Sequence, residues 1–299
     1  MTGSAAYDQL TVPAAGGRSL DVLLAGPSDG LPLVYHHGTP GGIAVYPPMA
    51  SAAAARGLRL VLYARPGYGG STPAPGRLVA DAVADVAAIL DQLGANRFVT
   101  VGWSGGGPHA LACARLLSGR CMAAASLAGP APFRASGLNW AAGMAKDNLA
   151  EFGAAAEGES ELTALLEEAA PLLRDITADQ LAEAMAEVIS VNDYDILDGE
   201  LAEYFASSFR AGLSAGIAGW RDDDLAFVRD WGFSLAAPGD AAPVAIWHGD
   251  KDGMVPFSHG EWLARRIPGA RSHLTPGVGH LSMRFDEIFD DLLELVGAR

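Results

Sequence analysis

The chain has 299 residues, of which 50% are hydrophobic and 18% charged, and this composition predicts a folded globule rather than a disordered chain. No apolar run is long enough to span a membrane, and the formal net charge of −15 disfavours nucleic acid as a partner. The opening residues MTGSAAYDQL lack the pattern of a signal peptide, so we expect a cytoplasmic protein without membrane attachment.

In the first part of the chain, strand patterns alternate with helical patterns. LTVPAAGGRSLDVLLAG predicts a hairpin that turns at Gly16 and Gly17, and LPLVYHHG and LRLVLY predict buried strands. Apolar residues recur at three- and four-residue spacing over 79–93, which predicts an amphipathic helix. RFVTVG and MAAASLAG predict two more strands, with a helix from Pro108 to Leu117 between them. The alternation is typical of a mostly parallel sheet with helices on both faces.

The pattern changes between Asn139 and Trp231, where helical patterns replace buried strands. Thr177 and Gln180 match a capping box at the start of one of these helices. The slightly longer segment 131–241 contains 21 acidic and 6 basic residues. The rest of the chain has equal numbers of acidic and basic residues, so this segment carries the whole net charge. Such a shift in composition indicates an inserted segment.

After Ala242 the alternation returns. PVAIWHG and ARSHLTP predict strands, with a helix over 259–266 between them, and SMRFDEIFDDLLELV predicts a closing helix. We therefore predict an α/β core formed by residues 1–130 and 242–299, interrupted by an acidic helical cap at 131–241.

The pattern G-x-S-x-G, which is typical of a nucleophilic serine on a turn from strand to helix, occurs twice. GWSGG contains Ser104 and GLSAG contains Ser214. Ser104 follows the predicted strand RFVTVG and precedes the helix that begins near Pro108, whereas a helical pattern precedes Ser214. Context therefore favours Ser104 as the nucleophile.

A serine nucleophile needs a base and an acid that orients the base. On a sheet with this kind of turn the acid follows the serine in the chain and the histidine comes last. Asp250 and Asp252 both follow the strand PVAIWHG, where a carboxylate can face the same crevice as Ser104. His280 lies on a glycine-flanked loop beyond the last predicted strand, which makes it the best base among the seven histidines.

The loop HHGTPGG at 36–42 predicts an oxyanion site, formed by the backbone N–H groups of Thr39 and Gly105. No metal or organic cofactor is required by this chemistry. Substrate contacts are predicted for Trp103, His37, Trp140 and Trp220. The predicted cap holds further aromatic side chains that could line a pocket: Phe152, Tyr194, Tyr204, Phe205 and Phe209.

Taken together, HHGTPGG, RPGYGGS, GWSGGGP and the pair HGDKDGMVP and GVGH resemble the α/β-hydrolase family, over roughly residues 20–130 and 242–296. The resemblance implies a capped member with a serine nucleophile. It also favours Asp252 over Asp250 as the acid, because relatives with G-x-x-D-x-x-V-P carry the acid at that position. Ala64 departs from the aspartate that many relatives have before R-P-G.

We therefore expect a hydrolase that cleaves a carboxylic ester or related acyl bond of a small molecule through an acyl-enzyme. Cleavage of carbon–carbon bonds and perhydrolysis are alternatives on the same fold. So is an aminopeptidase, because HHGTPGG is similar to the HGGPGG loop of proline iminopeptidases, whose acidic cap residues recognise a free amino terminus. A receptor that binds a ligand without turnover is the alternative from another class. The sequence leaves homo-oligomer formation open.

Overall fold

The computed structural model describes residues 7–185, 189–190, 193, 195–197, 199–236 and 240–297. Its strands are β1 (Asp8–Ala14), β2 (Arg18–Ala25), β3 (Leu31–His36), β4 (Leu58–Tyr63), β5 (Phe98–Trp103), β6 (Cys121–Leu127), β7 (Val244–Gly249) and β8 (Arg271–Thr275). Its helices are α1 (Pro47–Ala55), α2 (Ala82–Gln92), α3 (Gly107–Leu116), α4 (Lys146–Glu157), α5 (Glu159–Arg174), α6 (Ala178–Met185), α7 (Gly199–Leu213), α8 (Ala218–Phe227), α9 (Phe257–Arg266) and α10 (Phe285–Gly297).

The strands form one sheet in the order β1-β2-β4-β3-β5-β6-β7-β8. β1 and β2 pair as an antiparallel hairpin and β2 is antiparallel to β4, whereas all pairs from β4 to β8 are parallel. Parallel pairing needs crossover connections, and helices supply them here. The predicted fold class, a mostly parallel sheet with helices on both faces, is confirmed.

Alternate residues of the strands bury opposite faces of the sheet. On β3, Leu33 and Tyr35 join one apolar cluster with α1 and α10, and Val34 joins the other with α2, α3 and α9. All three side chains are at most 2% exposed, so both faces of the strand are covered. This burial explains why the parallel strands read as continuous apolar runs in the sequence.

Between β6 and β7 the chain forms helices α4 to α8. At the start of α6 the Thr177 N–H donates to Gln180 Oε1 at 3.1 Å, as the capping-box pattern indicates. Ala226 and Phe227 at the end of α8 pack in the cluster that covers one face of the sheet. Helix α9 begins at Phe257, two residues before the predicted start at His259.

Two properties of the described residues bear on partners. None of their helices combines the length and apolar character needed to cross a membrane. Within the same residues, no group of three or more histidine, cysteine or acidic side chains is arranged to hold a metal ion.

Candidate active site

Ser104 lies on the turn between β5 and α3 and has a φ of 53°, in the left-handed region that a serine rarely adopts. The turn is tight enough to require glycine on both sides. A Cβ atom on Gly102 would collide with the carbonyl of Gly106, and a Cβ atom on Gly106 would collide with that of His36. Strain of this kind is typical of functional positions, and here it holds Ser104 at the carboxyl edge of the sheet.

His280 and Asp252 form a buried pair at the same edge of the sheet. His280 Nδ1 donates to Asp252 Oδ2 at 2.7 Å, and the other carboxylate oxygen accepts the backbone N–H groups of Met254 at 2.9 Å and Val255 at 2.8 Å. The carboxylate is therefore fixed by three donors. His280 Nε2 is buried and has no hydrogen-bond partner among the described residues.

The surroundings of this pair favour its ionised state. Burial alone would lower the pKa of His280, but the charge of Asp252, the hydrogen bond to it and the charge of Asp193 outweigh burial and raise the pKa. Burial opposes ionisation of Asp252 too, yet His280 and His248 hold the pKa of that carboxyl well below its usual range. An imidazole in this position can take up a proton and keep it next to a fixed negative charge.

Asp250 points elsewhere. Its Oδ1 accepts the N–H of Gly277 at 2.7 Å, in the turn after β8, and its other oxygen lies 3.6 Å from Lys251 Nζ. Of the two aspartates that the sequence offers as the acid, the structure brings Asp252 to His280.

Asp193 holds the loop that carries His280, and sequence reasoning missed it. Its carboxylate accepts the N–H of His280 at 2.7 Å and that of Leu281 at 2.8 Å, and Ser190 Oγ donates to it at 2.9 Å. The side chain is fully buried. In the sequence Asp193 is one of many acids in the segment 131–241, and no local pattern marks it.

Thr39 and Gly105, whose amides are the predicted oxyanion donors, lie side by side. A Cβ atom on Gly105 would collide with the Thr39 side chain, and one on Gly38 would collide with the Trp103 ring. The loop 36–42 is thus packed directly on the turn that carries Ser104. This close approach of two backbone segments is what an oxyanion site requires.

Asp223 on α8 anchors this loop from the far side, which the sequence does not reveal. The residue is fully buried, and four side chains donate hydrogen bonds to its carboxylate: Arg65 at 2.6 Å, Arg77 at 2.6 Å, Thr39 at 2.7 Å and Tyr68 at 2.8 Å. Arg65 also donates to the carbonyls of His37 and Gly38. Burial raises the pKa of Asp223, but the two guanidinium charges outweigh it and hold the pKa well below the usual range.

Replacing Asp223 with asparagine is expected to lower the free energy of unfolding by about 3–5 kcal/mol, because two buried guanidinium groups lose their counter-charge. Asp222→Asn on the same helix is the matched control, since Asp222 is also buried but, within the described residues, pairs only with Arg221, whose side chain is partly exposed to water. We expect the control to lose about 1 kcal/mol or less. Urea unfolding followed by circular dichroism measures both, and equal losses in the two variants would contradict the anchoring role of Asp223.

A cavity of about 470 Å³ opens beside Ser104, Thr39 and Gly105. Trp103, Trp140 and Trp220 line it, as do two of the other aromatic residues that the sequence offers, Phe152 and Phe209. Tyr204 and Phe205 pack in an apolar cluster with the sheet, and Tyr194 lies outside the described residues.

The structure does not bring His37 to this cavity. Its Nδ1 donates to the carbonyl of Gly38 at 2.7 Å, and its Nε2 accepts the N–H of Arg65 at 3.4 Å. Burial and the Arg65 charge hold the pKa of His37 well below its usual range, so the ring stays neutral. A neutral ring with both nitrogens occupied supports the loop 36–42 rather than contacting a bound molecule.

Comparison with known proteins agrees with this architecture. The family model described as alpha/beta hydrolase fold matches residues 32–286. Among curated proteins, mouse serine hydrolase BPHL is 42% identical over 53 residues, which is 17% of this chain and 18% of the mouse protein.

Two solved structures are similar over nearly the whole chain. The esterase from Thermogutta terrifontis has a TM-score of 0.66 at 20% identity and covers 97% of this chain and 99% of its own. The enol-lactonase from Burkholderia xenovorans LB400 has a TM-score of 0.64 at 19% identity and covers 96% of this chain and 100% of its own. At such identities the likeness concerns the fold.

Proposed function

Because the chain belongs to the alpha/beta hydrolase fold family, we propose that this hydrolase uses Ser104 to cleave a carboxylic ester or related acyl bond of a small molecule. One observation carries the proposal. A serine with a strained backbone, beside a cavity, shares the carboxyl edge of the sheet with a buried histidine–aspartate pair. These are the groups that acyl transfer to a serine needs.

In the proposed mechanism, Ser104 Oγ attacks the substrate carbonyl while His280 Nε2 takes the hydroxyl proton. Asp252 keeps the other ring nitrogen protonated and stabilises the imidazolium. The amides of Thr39 and Gly105 stabilise the oxyanion. His280 then gives its proton to the leaving alkoxide as the acyl–oxygen bond breaks, and water, deprotonated by the same histidine, hydrolyses the acyl-enzyme.

A fluorophosphonate probe tests the proposal directly, since it reacts with an activated serine whatever the natural substrate is. We expect one label per chain, carried by the peptide that contains Ser104. A parallel screen of esters, lactones, thioesters and N-terminal prolyl amides then identifies the bond that is cleaved. Absence of both labelling and hydrolysis would favour a ligand-binding protein without turnover.

The pH profile follows from the raised pKa of His280. The base must be neutral to accept the serine proton, so kcat/KM should rise with pH and reach a plateau, with an apparent pKa above the ordinary value of 6.5. Asp252→Asn removes the charge that raises the pKa of His280. The rising limb of kcat/KM with pH should therefore shift to lower pH in this variant. Hydrolysis of a p-nitrophenyl ester between about pH 5 and pH 9 measures the limb, and a limb below 6.5 in the unmodified protein would contradict the prediction.

A further inference from the structure

The cavity beside Ser104 carries charge of one sign. Its charged lining side chains are Asp147, Glu151, Glu168 and Asp224, and within the described residues no lysine, arginine or histidine lines it. Most of the remaining lining is apolar or aromatic. Asp147 and Glu168 are exposed to water, whereas Asp224 is fully buried and Glu151 is half-buried, so water screens the negative potential of the latter two only in part.

Asp224 is an acid to which no basic, amide or hydroxyl group among the described residues donates a hydrogen bond. On α8 three aspartates follow one another, and two of them are paired: Asp222 with Arg221, and Asp223 with Arg65 and Arg77. Asp224 lines the cavity instead, is fully buried, and neither carboxylate oxygen accepts a hydrogen bond from the described residues. A buried carboxylate without a donor is unfavourable, so a cation at this position would stabilise it.

Glu151 on α4 is the neighbour of Asp224. Trp220 Nε1 donates to Glu151 Oε1 at 2.8 Å and so orients the carboxyl group. Since both side chains are acids, they can bond to each other only through a shared proton. Burial raises the pKa of Glu151 and outweighs the opposing hydrogen bonds to Asp224 and Trp220. Burial, the charge of Glu151 and the hydrogen bond to it raise the pKa of Asp224 well above its usual range.

We propose that Glu151 and Asp224 form a subsite for a positively charged ammonium group of the substrate. The substrate class is then a small ester, or related acyl compound, that carries an amine. This inference rests on the proposed function, because the subsite opens into the cavity that Ser104 lines. The ammonium group supplies charged hydrogen-bond donors to the two carboxyl groups, and the aromatic faces of the same cavity add cation–π attraction.

The charge of the subsite also decides what the cavity rejects. A carboxylate-bearing molecule would meet like charges, and within the part of the chain that the structure describes no lysine or arginine in the lining offsets them. A neutral molecule would not compensate the negative charge of Glu151 and Asp224. Three otherwise similar compounds, one cationic, one neutral and one anionic, therefore separate the subsite from nonspecific apolar binding.

The test measures binding to Ser104→Ala protein, so that it does not depend on turnover. The cationic probes are methyl 3-aminopropanoate and methyl 6-aminohexanoate, whose isosteres methyl butanoate and methyl heptanoate carry a methyl group in place of the ammonium. The anionic probes are methyl hydrogen succinate and methyl hydrogen pimelate. By isothermal titration calorimetry at about pH 7.5, where the amines are charged, we expect at least one cationic probe to bind about tenfold more tightly than its isostere or better. The anionic probes should bind most weakly.

Variants then assign the preference to the two acids. In Glu151→Gln/Asp224→Asn protein the ratio of cationic to neutral affinity should fall to about twofold or less. Glu157→Gln is the matched control, because Glu157 lies on the same helix, is exposed, and does not line the cavity. The control should keep the full ratio. Circular dichroism checks that each variant is folded.

The outcomes separate this inference from the function on which it rests. Equal affinities for ammonium and methyl probes, in a protein that hydrolyses esters and is labelled at Ser104, would overturn the subsite and leave the hydrolase. A tenfold preference that persists in the double variant would also overturn it. A preference that the double variant loses, in a protein without labelling or hydrolysis, would support the subsite and reject the serine mechanism.

Discussion

Alanine at position 104 is expected to lower kcat for any ester that the protein hydrolyses by about 10⁵-fold or more, because the group that attacks the carbonyl is removed. KM should change little, since the cavity walls remain. The measurement is the steady-state rate with the best substrate of the screen, compared with the uncatalysed rate in the same buffer. Labelling by a fluorophosphonate should disappear together with turnover.

Ser214→Ala is the matched control, because GLSAG satisfies the same five-residue pattern as GWSGG. Ser214 follows helix α7, is exposed, and its Oγ donates to the carbonyl of Ala211 at 2.8 Å. We expect Ser214→Ala to stay within about twofold of the unmodified rate. A Ser104→Ala protein that kept more than about a tenth of its activity would exclude the serine mechanism, because losing a nucleophile costs far more than tenfold.

The contrast between these two serines shows what could be predicted from sequence and why. Ser104 is marked by local signals on both sides: a run of residues that suits a buried strand, a set of small residues, and a proline in the first turn of a helix. Each signal acts within a few residues, so it is readable without knowledge of the fold. The alternation of strands and helices that defines the sheet is local in the same sense, and the structure confirms it.

Contacts between distant segments could not be predicted in this way. Asp222, Asp223 and Asp224 are consecutive and all buried, yet the first pairs with a partly exposed arginine, the second neutralises two buried arginines, and the third faces the cavity. Helix geometry sends successive side chains about 100° apart, and only the packing of α8 against other segments decides what each meets. Asp193, which accepts hydrogen bonds from the backbone of the His280 loop, could not be predicted either, because its partners lie far away in the sequence.

His37 shows that a position in a glycine-rich loop does not fix where the side chain points. Its position in the glycine-rich loop 36–42 suggests contact with a bound molecule, but the chain turns so that the ring packs against Tyr68 at 4.9 Å between ring centroids. Trp103, Trp140 and Trp220 reach the cavity although they lie far apart in the sequence. An aromatic residue can pack in a core or line a cavity with equal ease, so residue type alone does not distinguish the two.

Asparagine at position 252 is expected to lower kcat by about 10⁴-fold, although it has the shape of the aspartate it replaces. In the unmodified protein the carboxylate accepts from His280 Nδ1 at 2.7 Å, which keeps the proton on that nitrogen and leaves Nε2 free to take the serine proton. An asparagine amide can instead donate to Nδ1, which moves the ring proton to Nε2 and blocks proton transfer from Ser104. The lost charge also removes the stabilisation of the imidazolium.

Asp250→Asn isolates this effect, because it removes one carboxylate charge from the same loop without touching His280. Its side-chain oxygen can still accept the N–H of Gly277, the hydrogen bond that Asp250 makes at 2.7 Å. We therefore expect the Asp250 variant to stay within about threefold of the unmodified kcat. Steady-state rates of the two variants at the pH plateau decide between the acids, since a larger loss at position 250 than at 252 would reverse the assignment. Because the two aspartates differ by two positions on one loop, the difference in rate reports the hydrogen bond to His280 rather than the net charge of the loop.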